Sequence, residues 1–599
     1  MEIRNVKHLI AALSFTALTA YPAAVAHADD TAQEIRLLRA QLKKLEEKVN
    51  AQDRERKAVE AQIRKAAAQQ TGAPANSPPI LTQEPNYGIP KIPGSPDQRV
   101  AVYPSMGIGL PPEPPSGNVW VQTENAQQGY PTIGPSSLFV NNVSITPGGF
   151  FELASVTRSH FIGADIATPF GNIPFANVPS THVGEFHLSA RRSRAALLMR
   201  GDVTPTTHLA GYGEFDWLSA AQTANTNQTD SFNLRIRHLY MTVDNDEWGA
   251  HLLAGHAFTL ATMDIQGILP RKENTPIVIE DQYVPGFVWA RQDQIRLVKD
   301  FDKTFWVAVS AEQPATTFGG TAPSTPNVVG FVPGVVGANT DNGATIIGGS
   351  LYNSVNTLPL TQVPDLIGKA AWDPTIGDRT VHIEAFGIFR NFVDRVDLAP
   401  TIATPVFINH NNNSTGGGVG GSILVPIIPK VLEAQFSGIT GRGIGRYGAA
   451  QLPDVTYNAN GSLDPIPETM FLAGLVWHAM PGLDFYSYAG EEYEHPSYGF
   501  TPLAFSGTSY GSTGLVGYGN PLYNNSGCEI ELSTVCSGNT KMVRQITGGF
   551  WQDIYKGPFG RLTGGLQYSF TEKYAFAGLG FSPKTENNMF FTSLRYYPF

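Results

Sequence analysis

Charged residues, cysteines and long apolar runs are all scarce in this chain of 599 residues. Asp, Glu, Lys and Arg together make up 15%, less than the surface of a soluble protein usually carries. After residue 28 no apolar run is long enough for a transmembrane helix, which needs about 20 residues. Two cysteines without a nearby histidine do not make a zinc site, which normally has four ligands. These shortages argue against a helical membrane protein, a zinc protein and an ordinary cytosolic enzyme.

Sequence motifs for catalysis are also scarce. The chain has no Walker A sequence and no H-E-x-x-H. Residues 416–421 match G-x-G-x-x-G, but they lie in a region that reads as strands and lacks a βαβ unit. We therefore expect no enzyme, no cofactor and no metal. The enzymatic alternative is a barrel hydrolase with a Ser/His pair on its wall, which needs no local motif.

The first 28 residues have the layout of a secretory signal peptide. Arg4 and Lys7 precede an apolar run over residues 9–20, and Ala-His-Ala at 26–28 offers a small-x-small cleavage site. The alternative, an uncleaved membrane anchor, would need about 20 apolar residues. We predict an exported protein and leave residues 1–28 out of the fold.

Residues 29–70 carry a heptad pattern that predicts a periplasmic coiled coil and therefore partner chains. The polar Gln52 and Arg56 interrupt the seam, which lowers stability and can fix register or oligomer state. A lone solvated helix is the alternative, but it would expose an apolar stripe. Dimer and trimer both stay open. The seam consists of Ile35, Leu38, Leu42, Leu45, Val49, Gln52, Arg56, Val59 and Ile63.

Residues 71–118 contain twelve prolines and almost no periodic apolar pattern. This composition predicts an extended spacer rather than a domain. We place the remaining domain at 119–599.

From about residue 149 onward the chain reads as strands joined by alternating short and long connections. A bacterial barrel has short turns at its periplasmic end and long loops at its outer end. Seven turns and eight loops predict sixteen antiparallel strands, an all-β transmembrane barrel; a soluble sandwich would not place all long loops on one side. The predicted turns are 201–205, 244–247, 300–303, 374–378, 426–429, 479–482 and 556–560. The predicted loops are 159–183, 218–231, 257–287, 314–362, 394–415, 441–467, 494–540 and 571–587.

Alternation within single strands supports the barrel. In the fifteenth strand Leu566 and Tyr568 share one face, and Gln567 and Ser569 share the other. The last predicted strand ends on an aromatic residue, Phe599. There the alternation is untidy, because Ser593 and Arg595 fall on the parity that Phe599 would place toward lipid.

Cys528 and Cys536 lie close together in a Gly-, Asn- and Ser-rich stretch. Export would bring them into an oxidising compartment. We predict a local disulfide that pins a surface loop.

The order of signal peptide, coiled coil, spacer and sixteen-strand barrel resembles the phosphate-selective porin superfamily, in particular its DcaP-like branch. The resemblance covers nearly the whole mature chain and includes Ile-Thr-Pro-Gly-Gly-Phe at 145–150, Arg-Gln-Asp-Gln-Ile-Arg at 291–296, Pro-Asp-Leu-Ile-Gly-Lys at 364–369 and Gly-Arg-Gly-Ile-Gly-Arg-Tyr at 441–447. It implies a homotrimeric outer membrane channel of a Gram-negative bacterium. A phosphate-selective pore should show lysine-rich strands and loops, which are not evident here, so the sequence favours a general or organic-anion channel.

The lumen wall carries function in such a protein, because charged side chains at a constriction bias which ions pass. Strand parity selects interior-facing candidates. The alternative is that the arginines only pair with acids across the wall. Arginines can bias ion passage and pair with acids at the same time, because an arginine ladder that faces acids sets a transverse field across the pore. The candidates are Arg192, Arg194, Arg235, Arg237, Gln294, Arg296, Arg390, Glu214, Asp216 and Glu384.

In the porin family one long loop often folds inward and narrows the pore. We favour 257–287 over the longer 314–362, because a constriction needs charge as well as bulk. An ordinary exposed loop is the alternative. The charged residues of the favoured loop are Asp264, Arg271, Lys272 and Glu273.

Two functions from different classes follow. The first is a porin for passive diffusion of small hydrophilic solutes, with anions preferred. Its partners would be outer membrane lipid and other copies of the chain, and we expect no nucleic acid. The second is an envelope-tethering or surface-binding barrel with a closed pore.

Overall fold

The computed structural model describes most of the barrel region. The predicted signal peptide at 1–28, the coiled coil at 29–70, the spacer at 71–118 and Phe599 lie outside the described residues. The described ranges are 137–140, 143–218, 232–280, 283–322, 328–332, 340–341, 344–345, 361–398, 408–500, 505–506, 509–510 and 514–598.

Sixteen strands form one closed antiparallel barrel, which confirms the predicted strand number. Each strand pairs with its neighbours in the chain, and the last pairs with the first from Phe151↔Tyr596 to Arg158↔Met589. The strands are β1 Val143–Arg158, β2 in two pieces Glu185–Ser189 and Arg194–Thr204, β3 Thr207–Asp216, β4 Arg235–Asn245, β5 Ala250–Phe258, β6 Arg291–Phe301, β7 Phe305–Glu312, β8 Asp365–Trp372, β9 His382–Leu398, β10 Ile408–Ile428, β11 Leu432–Arg442, β12 Pro467–Met480, β13 Leu483–Glu494, β14 Thr540–Gly557, β15 Gly560–Ala575 and β16 Lys584–Tyr597.

Short and long connections alternate along most of the barrel. Two loops are shorter than expected, and the turn between β8 and β9, at 373–381 rather than 374–378, is as long as one of them. The connection between β9 and β10 covers 399–407 rather than 394–415, and that between β15 and β16 covers 576–583 rather than 571–587. The backbone ladder continues into polar sequence, as in the pair Arg395↔Asn411. Backbone hydrogen bonds form whatever the side chain is, so polar strand ends are hidden from an apolar pattern. The G-x-G-x-x-G match at 416–421 lies inside β10.

The outer face of the barrel is apolar. On β15 Leu566 and Tyr568 are exposed while Gln567 and Ser569 are buried, in agreement with the predicted parity. Exposed aromatic residues mark the end with the short turns, including Trp248, Phe301, Phe305 and Trp372. An apolar band with aromatic girdles is typical of a transmembrane barrel. Among the residues that the structure describes, no helix is long and apolar enough to cross a membrane.

The C-terminal strand resolves the untidy alternation of the sequence. Ser593 and Arg595 are buried on the interior face, whereas Phe590, Leu594 and Tyr596 are exposed on the outer face. The strand ends at Tyr597, and Pro598 cannot continue the ladder as a donor. Counting back from Phe599 therefore starts from a residue outside the alternating run.

The apolar core lies inside the barrel and is built around residues 259–290, which we call the inward loop. One cluster joins Leu260, Ile268 and Leu269 of this loop to the walls of β6, β8 and β9. A second joins its later residues, including Ile277 and Phe287, to β1, β12, β13, β14 and β16. The loop therefore contacts opposite sides of the wall.

Candidate functional site

The inward loop leaves β5 after Phe258 and returns at Arg291, and nearly all of its described residues are buried. Its apolar residues meet apolar side chains on the interior faces of several strands, such as Phe386 and Leu472. Burial of these surfaces favours the inside position over solvent. The loop favoured from the sequence thus lies in the lumen, while much of the alternative, 314–362, falls outside the described residues.

The tip of the inward loop is a small hairpin. The amide of Ile265 donates to the carbonyl of Lys272 over 2.7 Å, and the amide of Asn274 donates to that of Met263 over 2.7 Å. Asp264 and Glu273 face each other in this bridge, and Arg271 makes the turn with φ of 64°. The predicted residues Asp264, Arg271, Lys272 and Glu273 are all buried. They therefore sit together in this hairpin.

A buried ion cluster holds this tip to β8 and β9. The Lys369 ammonium lies 2.8 Å from Asp264 and 2.6 Å from Glu384. It also donates to the Thr262 carbonyl over 2.8 Å. The Asp264 amide donates in turn to Glu384 over 3.1 Å. Glu384 was predicted to face the lumen, and its role here is to fasten the loop.

The later half of the loop is attached to the opposite wall. The Trp551 indole N–H donates to the Ile277 carbonyl over 2.7 Å, and the Ile279 amide donates to Gln567 over 2.5 Å. Gly286 has φ of +87°, and a Cβ there would lie 1.9 Å from the Phe471 carbonyl oxygen. Only glycine allows the loop backbone to approach β12 so closely. The loop is therefore a strap across the barrel.

Glu280 is a buried carboxyl of the inward loop rather than of a spanning strand. Gln545 donates to its Oε2 over 3.2 Å. Burial raises the pKa of Glu280 to about 7, against the weaker opposing effects of Thr168 and Arg158. A carboxyl that is shielded from water favours its neutral form.

The predicted arginines of β2 and β4 converge on two acids of β3. Arg237 lies 2.5 Å from Glu214 and 3.1 Å from Asp216. Arg235 lies 2.7 Å from Asp216, and Arg194 lies 3.7 Å from Glu214. A bulge in the β3–β4 pairing brings both Arg237 and its neighbour in the chain to the interior. The charges thus meet as a paired network, the alternative weighed from the sequence.

Arg192 belongs to another group of charges. It lies 3.7 Å from Glu152 of β1, and Arg595 of β16 lies 3.0 Å from the same carboxylate. Arg192, Glu152 and Arg595 are buried, as are most of the predicted lumen residues. The prediction that these groups face water needs correction, because the inward loop fills the space that parity assigned to a lumen. Arg235 remains 26% exposed.

Three further predicted residues, Gln294, Arg296 and Arg390, bind loop residues and hold them to the wall. Gln294 and Arg296 donate to the Phe258 carbonyl over 2.8 and 2.6 Å, which fixes where the inward loop leaves β5. Arg390 lies 3.1 Å from Asp365 and 2.6 Å from Asp454. It therefore ties the loop between β11 and β12 to the wall.

The opposite wall is acidic. Glu468, Glu492 and Glu494 are buried on β12 and β13, and Glu468 pairs directly with Glu494 across the two strands. The interior faces of the described strands β11–β13 carry no Lys or Arg. Sequence reasoning missed these acids, although the alternation in β13 could have found Glu492 and Glu494. The arginines near β2, β4 and β16, which are paired with acids of β1 and β3, thus lie on a different part of the wall from these unneutralised acids.

Four buried histidines near the short-turn end were also missed. Each has its ring nitrogens close to two carboxylates, so each joins neighbouring strands or turns. In each group one acid lies six to nine residues from the histidine across the same short turn, and for His208, His251 and His478 the second acid lies on another hairpin. The contacts are His208 with Asp202 and Asp246, His251 with Asp244 and Asp300, His382 with Asp373 and Glu384, and His478 with Asp484 and Glu433.

The described part of the chain holds a disulfide but gives little support for a metal site or a catalytic serine. A disulfide joins Cys528 and Cys536 in the loop between β13 and β14. No group of three or more His, Cys, Asp or Glu among the described residues is placed to hold a metal ion. Sequence reasoning missed a G-x-S-x-G match at 507–511, whose Ser509 belongs to a two-residue strand in that loop. A nucleophile elbow instead needs a strand-to-helix turn.

No family model and no curated protein matches the chain. Solved structures do. The outer membrane channel DcaP of Acinetobacter baumannii is 15% identical, with 77% of this chain and 100% of that chain covered and a TM-score of 0.49. An anion-selective porin from Comamonas acidovorans is 9% identical, with 76% and 99% covered and a TM-score of 0.36. OmpT of Vibrio cholerae in a trimer form is 11% identical, with 76% and 99% covered and a TM-score of 0.35. The chain is thus similar in structure to outer membrane proteins, at low sequence identity.

Proposed function

We propose that this protein is a homotrimeric outer membrane channel of a Gram-negative bacterium for passive diffusion of small hydrophilic solutes, with anions preferred. The carrying observation is the inward loop, a charged strap fastened at both sides of a closed barrel with an apolar outer face. A fixed loop inside a transmembrane barrel sets the width and charge of any path through it. The function needs no cofactor and no covalent chemistry.

Selectivity would come from the charge pattern of the wall. Arg194, Arg235 and Arg237 lie on β2 and β4, Arg192 lies in the break between the two pieces of β2, and the acids of β12 and β13 lie on another part of the wall. Such separation sets a transverse field, which is strong where water is excluded. Glu214 and Asp216 offset part of the basic charge, so the anion preference should be modest.

The second candidate is a closed barrel that tethers the envelope or binds a partner at the surface. The specific observation in its favour is the burial of nearly all described residues of the inward loop. In this case the predicted coiled coil and the long loops would carry the function.

Single-channel recording of the refolded protein in a planar bilayer separates the two. Under a salt gradient we expect stepwise openings in threes and a reversal potential biased toward anions. A folded but silent protein would contradict the channel and support the closed barrel. Conducting openings with a cation bias would keep the channel and contradict the solute preference.

A further inference from the structure

The uncharged stretch on the outer face of β6 is shorter than the apolar band that a lipid-facing strand needs. Asp293 and Lys299 both point outward and stand six residues apart. At about 3.3 Å per residue and a tilt of about 40°, six residues span about 15 Å along the membrane normal. A lipid-facing band is about 25 Å tall. Lys299 reaches toward the short turn and donates to the Trp248 carbonyl over 2.8 Å, so its charge can leave the apolar band. Even if the band is then extended to Phe301, its height is only about 20 Å.

Neighbouring strands share this mismatch, and the far wall does not. His256 of β5 also points outward and lies 2.9 Å from Asp293, which is 75% exposed. Strands β7 and β8 have 8 residues each, against the 9–11 that a spanning strand usually needs. On β15 the outward face carries no charge between Gly560 at the short turn and Glu572, and these twelve residues span about 30 Å by the same measure. The barrel therefore fits lipid on one side and fits it poorly around β5–β7.

The same face is concave. A depression of about 630 Å³ opens near the short-turn end, and one of about 480 Å³ lies nearer the long loops. Small outward side chains leave this room. Aliphatic groups make the walls of the first depression apolar, whereas polar and apolar groups line the second about equally. The first depression is lined by Val243, Ala250, Leu252, Leu297, Val307 and Val309, and the second includes Ala254, Ile295, Ala311 and Gln313.

Bulky residues stand out on a different part of the wall. Phe151 and Leu153 of β1 are 64% and 52% exposed, and Phe186 and Leu188 of β2 are 60% and 62% exposed. In a ring of three, the two faces of a subunit that meet its neighbours point about 60° apart. In a barrel of sixteen strands this angle is about three strands of wall. The near edges of the β1–β2 and β5–β7 faces are three strands apart, and the centres of these faces are four to five strands apart. Gly211 and Gly213 point outward on β3 between them and allow close approach.

We infer that the β5–β7 face is an interface with a second copy of this chain, whose β1–β2 face fills the two depressions. This inference rests on the proposed homotrimer and names the surface that builds it. A protein partner shortens the wall that must meet lipid. The heterologous contact closes after three copies, so no edge is left open.

Photocrosslinking in intact outer membranes tests the interface. The full chain would carry Leu297→p-benzoylphenylalanine on β6, with Leu566→p-benzoylphenylalanine on β15 as the matched control, since both leucines point outward. We expect an adduct of twice the chain mass from position 297, with its cross-linked peptide in β1–β2 of the other copy, and none from position 566. Lipid adducts alone at 297, or the dimer adduct at 566, would overturn the inference.

A second variant fills a depression. Ala254→Trp should abolish the dimer adduct from p-benzoylphenylalanine at position 297, and Leu566→Trp should not. A dimer adduct that survives Ala254→Trp unchanged would contradict the interface. Conductance of the same samples keeps the two proposals apart: a conducting protein without adducts at 297 refutes the interface alone, and a silent protein with them refutes the channel alone.

Discussion

Replacing Lys369 with methionine tests whether a buried ion cluster holds the inward loop at its tip. The Lys369 side chain is fully buried and lies within 2.8 Å of both Asp264 and Glu384. Methionine keeps the length of the side chain but removes the ammonium. Asp264 and Glu384 then face each other without their shared cation, so the loop tip should leave the wall.

Removing one partner of a buried ion pair costs about 3–5 kcal/mol. If this cost falls on the attached state of the loop, the ratio of released to attached loop rises by about 10²- to 10⁴-fold, since about 1.4 kcal/mol is a factor of ten. We expect larger mean conductance and stronger current noise in single-channel recordings. Neutralising one acid as well, in Asp264→Asn/Lys369→Met, should reverse part of the change, because one uncompensated charge is removed.

Lys573→Met is the matched control. Lys573 is also buried, but it donates to the carbonyls of Gly171 and Ile173 in the loop between β1 and β2, over 2.9 and 2.7 Å. We expect it to lower thermal stability and leave conductance unchanged. Unchanged conductance and noise in Lys369→Met, or an equal change in Lys573→Met, would refute the proposed fastening of the strap.

Three further predictions concern charge, pH and the disulfide. Arg235→Ser/Arg237→Ser should shift the reversal potential toward cations because Glu214 and Asp216 lose these two partners. Glu214→Gln/Asp216→Asn should shift it toward anions. Equal reversal potentials in the wild type and both variants would contradict the proposed selectivity. The pKa of Glu280 is raised from 4.5 to about 7, so its contribution to loop attachment is complete below about pH 4.5 and is lost as the pH rises through about 7. Channel noise in the wild type should therefore rise between pH 5 and pH 8 by more than in Glu280→Gln, and identical pH profiles would exclude this role. Cys528→Ser/Cys536→Ser should lower stability by about 2–3 kcal/mol, as expected for a short closed loop, with conductance unchanged; thermal unfolding by circular dichroism and recordings in bilayers measure the two effects.

The strand number could be predicted because membrane strands obey two local rules. Side chains alternate between lipid and interior with a period of two, and turns and loops alternate in length. Both are properties of short segments, as in the alternation of Leu566, Gln567, Tyr568 and Ser569. Strand ends were less certain, because Asn411 pairs with Arg395 through backbone groups that the sequence pattern does not distinguish.

The sequence could predict which residues belong to the candidate site but not which of them pair with each other. Parity placed Arg194 and Arg237 on the interior, yet their common partner Glu214 lies on a third strand between them. A bulge also changes the parity near Arg237, which alternation alone does not reveal. For His208, His251 and His478 one acid lies across the same turn, six or seven residues away, but the second acid comes from another hairpin, which no sequence spacing relates.

Local periodicity determined by itself that this chain forms a sixteen-strand barrel with an apolar outer face, since each strand must separate lipid from interior. Charge in residues 257–287 also marked the loop that enters the barrel. The tertiary structure alone decided that this loop spans the interior, with Asp264 held by Lys369 and Ile277 held by Trp551. These contacts join residues more than a hundred positions apart, and only closure of the barrel brings them together.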